Sequence, residues 1–421
     1  MFNFMQFCKD MFPVNRSLLG EGNLKTLMYI KSIVPELVIS KVPTGFKAFD
    51  WEVPDQWELY EAFIEDIHGN RLIDIKDSNL HVISYSTPID EVMEFSELKN
   101  NLFTHSELSD AIPYLTSYYS RKWGFCLSKE QMSRFKENQE YRVVINSKLF
   151  PGNLHSGEII FVGETNKEIL LSTYICHPSM ANNELSGPAV LTALSLWLSQ
   201  IDNRHYTYRI TFHSETLGAL VYIKNNEEKL KANVVASWNF TCMGGPDAIT
   251  VLPSQFGNTL PDKVTWSALK ELGINPKVKS FLTRGSDERQ FSSPRLGIPM
   301  VSIMKSAYAE YKEYHTSLDN LEFISEESLN ETFNVMKQVV LVLEREKFPR
   351  QTFLGEAHLS RYGLYETFEN FLPEYKSRDV MNVTQFCDGT NSAIEISKLT
   401  DLNVDLVEGI LKILLREKIV E

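Results

Sequence analysis

The stretch "STYICHPSMANNELSG", residues 172–187, decides how this chain is to be read. The apolar run "EILLSTYI" leads into a lone histidine, His177, followed by two amides and a carboxylate. At Ser186-Gly187 the chain turns apolar again, in "GPAVLTALSLWLSQI". The local expectation is a strand, a polar connection and a helix. In an open α/β sheet such a connection lies at the carboxyl end of a strand, where binding and catalytic sites gather.

The same pattern recurs downstream. "YRVVINS" and "GEIIFVG" read as strands, as do "TYRITFH", "NVVASWNFTCM" and "GIPMVSIM". Between them "LGALVYIKNNEEKLK" and "NTLPDKVTWSALKEL" read as helices, and "SEESLNETFNVMKQVVLVLEREK" as a long closing helix. Continuous apolar strands alternating with helices predict a mostly parallel sheet sandwiched by helices. Three further polar groups follow strands in the manner of His177: Glu215 after "TYRITFHS", Asp287 in "TRGSDERQF", and His315 in "EYKEYHTSLDN". Two imidazoles and two carboxylates, each beyond a buried strand, are the ingredients of a zinc site with a general base. Each residue also has a plainer role. His177 can be a core histidine, Glu215 a helix cap beside Ser214, Asp287 half of a turn pair with an arginine, and His315 part of an N-cap.

The totals bound the class. The 421 residues fit two or three domains, and 43% hydrophobic with 23% charged residues is ordinary for a globular chain. A formal charge of −13 disfavours nucleic acid as a partner, because phosphate contacts need basic surface. The N-terminal "MFNFMQFCKDMFPVNRSLLGEGN" is interrupted by Lys9, Asp10 and Arg16, so neither a signal peptide nor a membrane span is expected. The five cysteines, Cys8, Cys126, Cys176, Cys242 and Cys387, are scattered and form no CxxC pair. That favours reduced thiols and a cytoplasmic location over a disulfide framework.

Three regions are expected. Residues 1–40 and 126–350 form the α/β domain, opening with a helix in which Leu24, Leu27, Ile30 and Ile33 share a face before Pro35. Residues 41–125 form an inserted β-rich domain, in which His68-Gly69-Asn70 makes a hairpin turn. Residues 375–421 form a winged helix-turn-helix module, with a turn at Asp401-Leu402-Asn403 between two helices and an edge strand behind them. The second of those helices, "VDLVEGILKILLRE", mixes acids with Lys412 and Arg416. Protein contact, such as homo-oligomerisation, is expected of it rather than base readout.

His177, then Asn183-Glu184-Leu185-Ser186-Gly187, Glu215 with Gly218, Ser286-Asp287 and Tyr314-His315-Thr316 together resemble the M28-type zinc aminopeptidases. More closely, the phrases "VPTGFKAFDWEVP", "NLHVISYSTP", "IPYLTSYYSRKWGFCLS", "CHPSMANNELSGP", "RGSDERQF" and "EYHTSLDN" resemble the bacterial aminopeptidase-like proteins of the DUF4910 and DUF2172 families over nearly the whole chain. The resemblance implies a zinc-exopeptidase-like α/β fold with an inserted small domain. It also implies Glu215 as general base and His177 and His315 as metal ligands. The chain departs from the M28 pattern at three anionic positions: Asn183 stands where an aspartate bridges two metals, Thr216 where a second glutamate follows the base, and Thr241 where a further aspartate is expected. One zinc per chain is therefore expected, with Glu184 or Asp287 completing the ligand set. Arg289 or Arg284 would hold a substrate carboxylate or the oxyanion, and Asn183 and Tyr314 complete the substrate contacts.

The function expected is a metal-dependent amide hydrolase of aminopeptidase type. Its substrate would be a small peptide or an acylated amino compound, with an amide on a sugar precursor as a variant. The alternative is a catalytically degenerate exopeptidase fold acting as a ligand-binding or regulatory module.

Overall fold

A computed structural model describes residues 2–365 and 375–421. The chain divides into two compact units, residues 1–255 with 273–337, and residues 256–272 with 338–421.

An eight-stranded sheet organises the first unit. Its four central strands, Thr207–His213, Glu168–Tyr174, Val234–Phe240 and Met300–Lys305, lie side by side and parallel. The first two are buried at every position, as a parallel strand covered on both faces must be. The flanks are antiparallel: Asn153–Phe161 and then Val38–Pro43 on one side, Ile249–Leu252 on the other, with Lys277–Val278 at the far edge. The short strands Ile249–Leu252 and Lys277–Val278 carry no periodicity long enough to be read from sequence. Two helices, Phe4–Met11 and Glu21–Ile33, precede the first strand, where one was expected.

The helix Ser186–Leu198 follows the central strand, and eleven of its thirteen residues are buried. Its approach to the sheet sets the residue at position 187. A Cβ on Gly187 would sit 2.3 Å from the carbonyl oxygen of Phe240 and 2.8 Å from Oγ1 of Thr173. The Ser-Gly pair is thus what lets the helix start directly above two central strands.

The β-rich insertion contains a four-stranded antiparallel sheet, in the order Arg71–Asp74, Gln56–Asp66, Glu140–Phe150, Ile89–Glu94. Gly69, at φ +79°, makes the turn between the first two. The strand Glu140–Phe150 was expected in the α/β domain; instead it belongs to this sheet, so the insertion's sheet reaches past residue 125. Its alternation explains why: Tyr141, Val143, Ile145 and Ser147 are buried, while Glu140, Arg142, Asn146 and Lys148 are exposed and Val144 alone is buried on their face. That is a one-sided strand. Its core takes in Trp57, Tyr85, Phe125 and Tyr141 and continues into Leu217 and Val221 of the helix Leu217–Asn233.

In the second unit, the helices Ser377–Gln385, Ala393–Thr400 and Val404–Arg416 pack around Val383, Ile396, Val407, Ile410 and Leu414. Ser392 and Glu395 form a reciprocal cap on the middle helix, and Asp401 ends it in the left-handed conformation. Gln351 pairs with Val420 as a minimal β-bridge.

Replacing Gly187 with alanine should lower the urea midpoint of the first unit. Overpacking against fixed backbone costs about 3 kcal/mol, because the Phe240 carbonyl cannot swing aside as a flexible side chain can. An unchanged midpoint would show that the helix can lift without loss.

Candidate active site

The central strand delivers Cys176 and His177 to the carboxyl edge of the sheet, and the chain then doubles back through the turn Ala181–Leu185. Asp319 fixes this turn. Its carboxylate accepts from the N–H groups of Ala181 (3.2 Å), Asn182 (2.6 Å) and Asn183 (2.8 Å) and from the Tyr311 hydroxyl (2.8 Å). Burial raises its carboxyl to about 6, and those four donors act against the rise. Asn182 donates to the Ser306 carbonyl and accepts from Gly244 and Gly245 N–H, tying the turn to two neighbouring strand ends.

His177 is held from below. Its Nδ1 lies 2.9 Å from Glu184 Oε2, which also accepts from the His177 main-chain N–H. The fully buried Arg16 stands behind, 3.6 Å from the other Glu184 oxygen, and donates to the His177 carbonyl (3.0 Å) and the Met11 carbonyl (2.7 Å). Burial disfavours the His177 imidazolium, and its neighbours Cys176 and Glu184 reverse that and hold it well above the usual histidine range. With Nδ1 taken by Glu184, Nε2 is the ring nitrogen turned towards Glu215 Oε2, at 3.8 Å, and it offers a lone pair to a cation once the imidazolium gives up its proton. A carboxylate bonded to Nδ1 with Nε2 free is how proteins present an imidazole to a cation.

Glu215 sits one residue before Thr216, whose backbone is forced to φ +61°, a strained conformation for a β-branched residue. Asp287 Oδ1 secures that strained turn by accepting from the Thr216 N–H at 2.7 Å. Burial raises the Glu215 carboxyl above its ordinary value, against the pull of His177 and Arg289, while its side chain keeps 23% exposure. His315, also at positive φ (+55°), brings Nε2 to 3.2 Å from Asn183 Oδ1. Burial and the His177 charge drive His315 down to about 3, so it is a neutral imidazole.

His177, Glu215 and His315 share one cavity of about 420 Å³. Its walls come largely from the insertion: Trp51, Tyr114, Tyr118 and Tyr119. The Tyr114 ring meets both histidines edge-on, at 5.2 and 5.3 Å. Its main chain is stitched to the His315 loop, Tyr114 N–H to His315 carbonyl at 2.8 Å and Ser317 N–H to Ile112 carbonyl at 2.9 Å.

The other expected site residues lie elsewhere. The Glu184 carboxylate is occupied by His177 and Arg16 and does not line the cavity. Asp287 is fully buried behind Thr216, with Oδ2 3.6 Å from His213 and without a hydrogen bond, and burial and then Glu215 hold its carboxyl well above the usual range. Neither completes a ligand set on the cavity side. Asn183 donates to the Tyr174 hydroxyl (3.1 Å) and to Cys242 Sγ (3.4 Å), so its amide is a donor that an aspartate could not replace. Tyr314 stacks on His315 at 4.0 Å. Arg289 reaches the Thr216 hydroxyl at 3.1 Å on the rim, whereas Arg284 lies exposed over Phe281, away from the cavity lining. Arg16, Asp319 and the aromatic wall were not singled out from sequence. Asp319 stands within the quoted "EYHTSLDN", but nothing in its spacing marks a carboxylate that grips backbone.

Two imidazoles and one carboxylate face the cavity. Thr216 is bonded to Arg289 and Thr241 to the Tyr174 hydroxyl at 2.6 Å, so no anion stands at the positions a second ion requires. Cys176 Sγ, His177 Nδ1 and Glu184 also lie within 4.8 Å of one another. This trio is a hydrogen-bonded cluster: burial pushes the Cys176 thiol up, Sγ accepts from the Glu215 N–H at 3.3 Å, and Nδ1 is engaged by Glu184.

Arg16→Met should destabilise the first unit by about 3–5 kcal/mol, because it strands the Glu184 charge in the interior. Glu184→Gln in the same chain should recover part of the loss in urea unfolding; no recovery would show that Arg16 acts through its carbonyl bonds alone. His213 offers a pH test. Burial lowers it to about 4, and its ring nitrogens meet the Ser172 hydroxyl (2.9 Å) and the Ser214 carbonyl (3.2 Å). A folded pKa below the unfolded ~6.5 means that its contribution is complete above pH ~6.5 and fades as pH falls towards 4, at up to about 1.4 kcal/mol per pH unit. His213→Gln should lack that component between pH 7 and 5; equal acid sensitivity in both proteins would contradict it.

Comparison with known proteins places these observations. Residues 5–346 match the domain of unknown function DUF4910, and residues 347–421 match a winged helix-turn-helix. A Clostridium acetobutylicum protein described as a candidate polysaccharide biosynthesis protein with an aminopeptidase-like domain is 37% identical over 398 residues, 92% of this chain and 89% of that one. A crystal structure of a candidate peptidase from Clostridium acetobutylicum superposes with a TM-score of 0.81 at 34% identity, covering 99% of this chain and 95% of the other. The zinc aminopeptidase of Bacillus subtilis shares the fold at 14% identity, with a TM-score of 0.56 over 81% of this chain and 94% of its own. The chain belongs to the DUF4910 family, an aminopeptidase-like α/β fold carrying a C-terminal winged helix-turn-helix.

Proposed function

We propose that this chain is a metal-dependent amide hydrolase of aminopeptidase type, with a single zinc held by His177 Nε2 and His315 and with Glu215 as general base. The observation that carries the reading is the convergence of these three side chains, from three separate strand ends, on one aromatic-walled cavity. A bound zinc ion would polarise the amide carbonyl and ease deprotonation of water. The chain supplies the rest. Glu184, backed by Arg16, fixes the His177 ring and tautomer. Glu215 takes a proton from the attacking water and passes it to the departing nitrogen. The aromatic wall excludes bulk water and orients the substrate.

The substrate on this reading is a small peptide or an acylated amino compound, since a cavity of about 420 Å³ admits a chain end and not a folded protein. The biosynthetic description of the Clostridium relative supports the sugar-precursor variant. The cytoplasm suits five buried thiols, none of them in a disulfide. Among the described residues no helix is long and apolar enough to cross a membrane.

A second reading, a binding module on a degenerate exopeptidase fold, is favoured by the neutral, hydrogen-bonded Asn183, Thr216 and Thr241. Elemental analysis after zinc loading separates the two. The hydrolase reading expects about one zinc per chain, retained weakly because two imidazoles are fewer than the usual three protein ligands, and lost in the His177→Ala, His315→Ala double variant. Glu215→Gln should keep the metal and lose turnover of acyl-amide and aminoacyl substrates by roughly 10²–10⁴-fold. A loaded protein without zinc would leave the binding module standing.

A further inference from the structure

The charge arrangement of the cavity bears on which amides can enter. Glu215 is its single carboxylate; the remaining lining is His177, His315, Cys176, neutral hydroxyls, aromatic rings and the aliphatic side chains of Leu18, Leu115 and Leu217. A substrate with a free α-ammonium, once desolvated there, needs an anion of its own. The one available is the group assigned to proton transfer, and Asn183 and Thr216 supply none. The rim carries the opposite charge. Arg289 is exposed and enters no ion pair among the described residues; its Nε donates to the Ser286 carbonyl (3.0 Å) and its Nη2 to the hydroxyl of Thr216, a residue that lines the cavity. A guanidinium anchored by two hydrogen bonds, with further N–H groups free, is a receptor for a carboxylate or phosphate. Beside the cavity, Trp51 and Tyr119 meet at 6.1 Å with 38% and 59% of their surfaces exposed, and offer a face to an uncharged ring or acyl chain.

Resting on the hydrolase reading, we infer that the substrate is an N-acylated amino compound bearing an anionic group that Arg289 holds, and not a peptide with a free amino terminus. The acyl group lies against the apolar wall, and the carboxylate or phosphate of the amine half reaches the rim. Water adds to the amide carbonyl, the C–N bond breaks, and the nitrogen leaves carrying the proton taken from water. The products are a carboxylate and an anion-bearing amine.

Three matched probes test this on the zinc-loaded full chain: N-acetyl-L-leucine (anionic), N-acetyl-L-leucinamide (neutral) and L-leucinamide (cationic). The inference expects acetate release from N-acetyl-L-leucine with kcat/KM at least about tenfold above ammonia release from L-leucinamide. In Arg289→Met the preference for N-acetyl-L-leucine over N-acetyl-L-leucinamide should collapse mainly through KM, and Arg289→Lys should restore part of it. Faster turnover of L-leucinamide would overturn the inference and leave the aminopeptidase reading intact. If no probe is turned over, calorimetry on the wild-type chain and on Arg289→Met decides. Arg289-dependent binding of N-acetyl-L-leucine, tenfold tighter than that of L-leucinamide, upholds the selectivity while the hydrolase reading falls. Equal or absent binding of the two overturns the inference as well.

Discussion

The Asp319 carboxylate holds the site together. It collects three successive main-chain N–H groups of the turn after the central strand, four residues after placing His315 on its own loop. A turn of this kind exposes unpaired donors to the interior, each of which costs free energy unless it is bonded. One buried carboxylate satisfies all three, and by doing so couples the position of His177 and Asn183 to that of His315. The strained backbone at His315 and Thr216 is tolerable because carboxylates clamp the adjoining segments, Asp319 on one side and Asp287 on the other. Both carboxylates thus grip main-chain N–H groups.

The same logic accounts for the neutral residues that separate this chain from a two-metal peptidase. Asn183 donates to Tyr174 and Cys242 and meets His315 through its oxygen. An aspartate there could only accept, so the Tyr174 hydroxyl and the Cys242 thiol would have to turn their own protons towards it. Thr216 presents its hydroxyl to a guanidinium, which is a poor neighbour for a cation. The substitutions are consistent with one another: each neutral side chain is engaged by a neighbour that an anion would not suit in the same way.

The central sheet was legible because its strands are long, apolar throughout and regularly separated by helices. His177, Glu215 and His315 follow such strands in the sequence, and they line one cavity. The strand Glu140–Phe150 is rich enough in apolar residues to resemble a central strand, and its alternation places it in the insertion's sheet instead. Glu184 and Asp287 sit in the expected segments, but whether a carboxylate faces a cavity or a backbone N–H depends on turn geometry that spacing does not encode. Arg16 had no local signal of its role at the site: its partners there, His177 and Glu184, lie 161 and 168 residues away, and only the packed structure brings them together.

The insertion then has a physical role beyond its own stability. Its sheet core runs without a break into Leu217 and Val221, on the helix that begins two residues after Glu215. Its loop pairs main chain to main chain with the His315 segment and sets Tyr114 between the two imidazoles. The insertion is thus packed against the helix that follows Glu215 and bonded to the loop that carries His315. A cavity built in this way has its shape fixed by the small sheet and its reactive groups by the large one. Substitutions at its exposed residues, Trp51 and Tyr119, can alter what fits while the contacts to Leu217, Val221 and the His315 loop are kept.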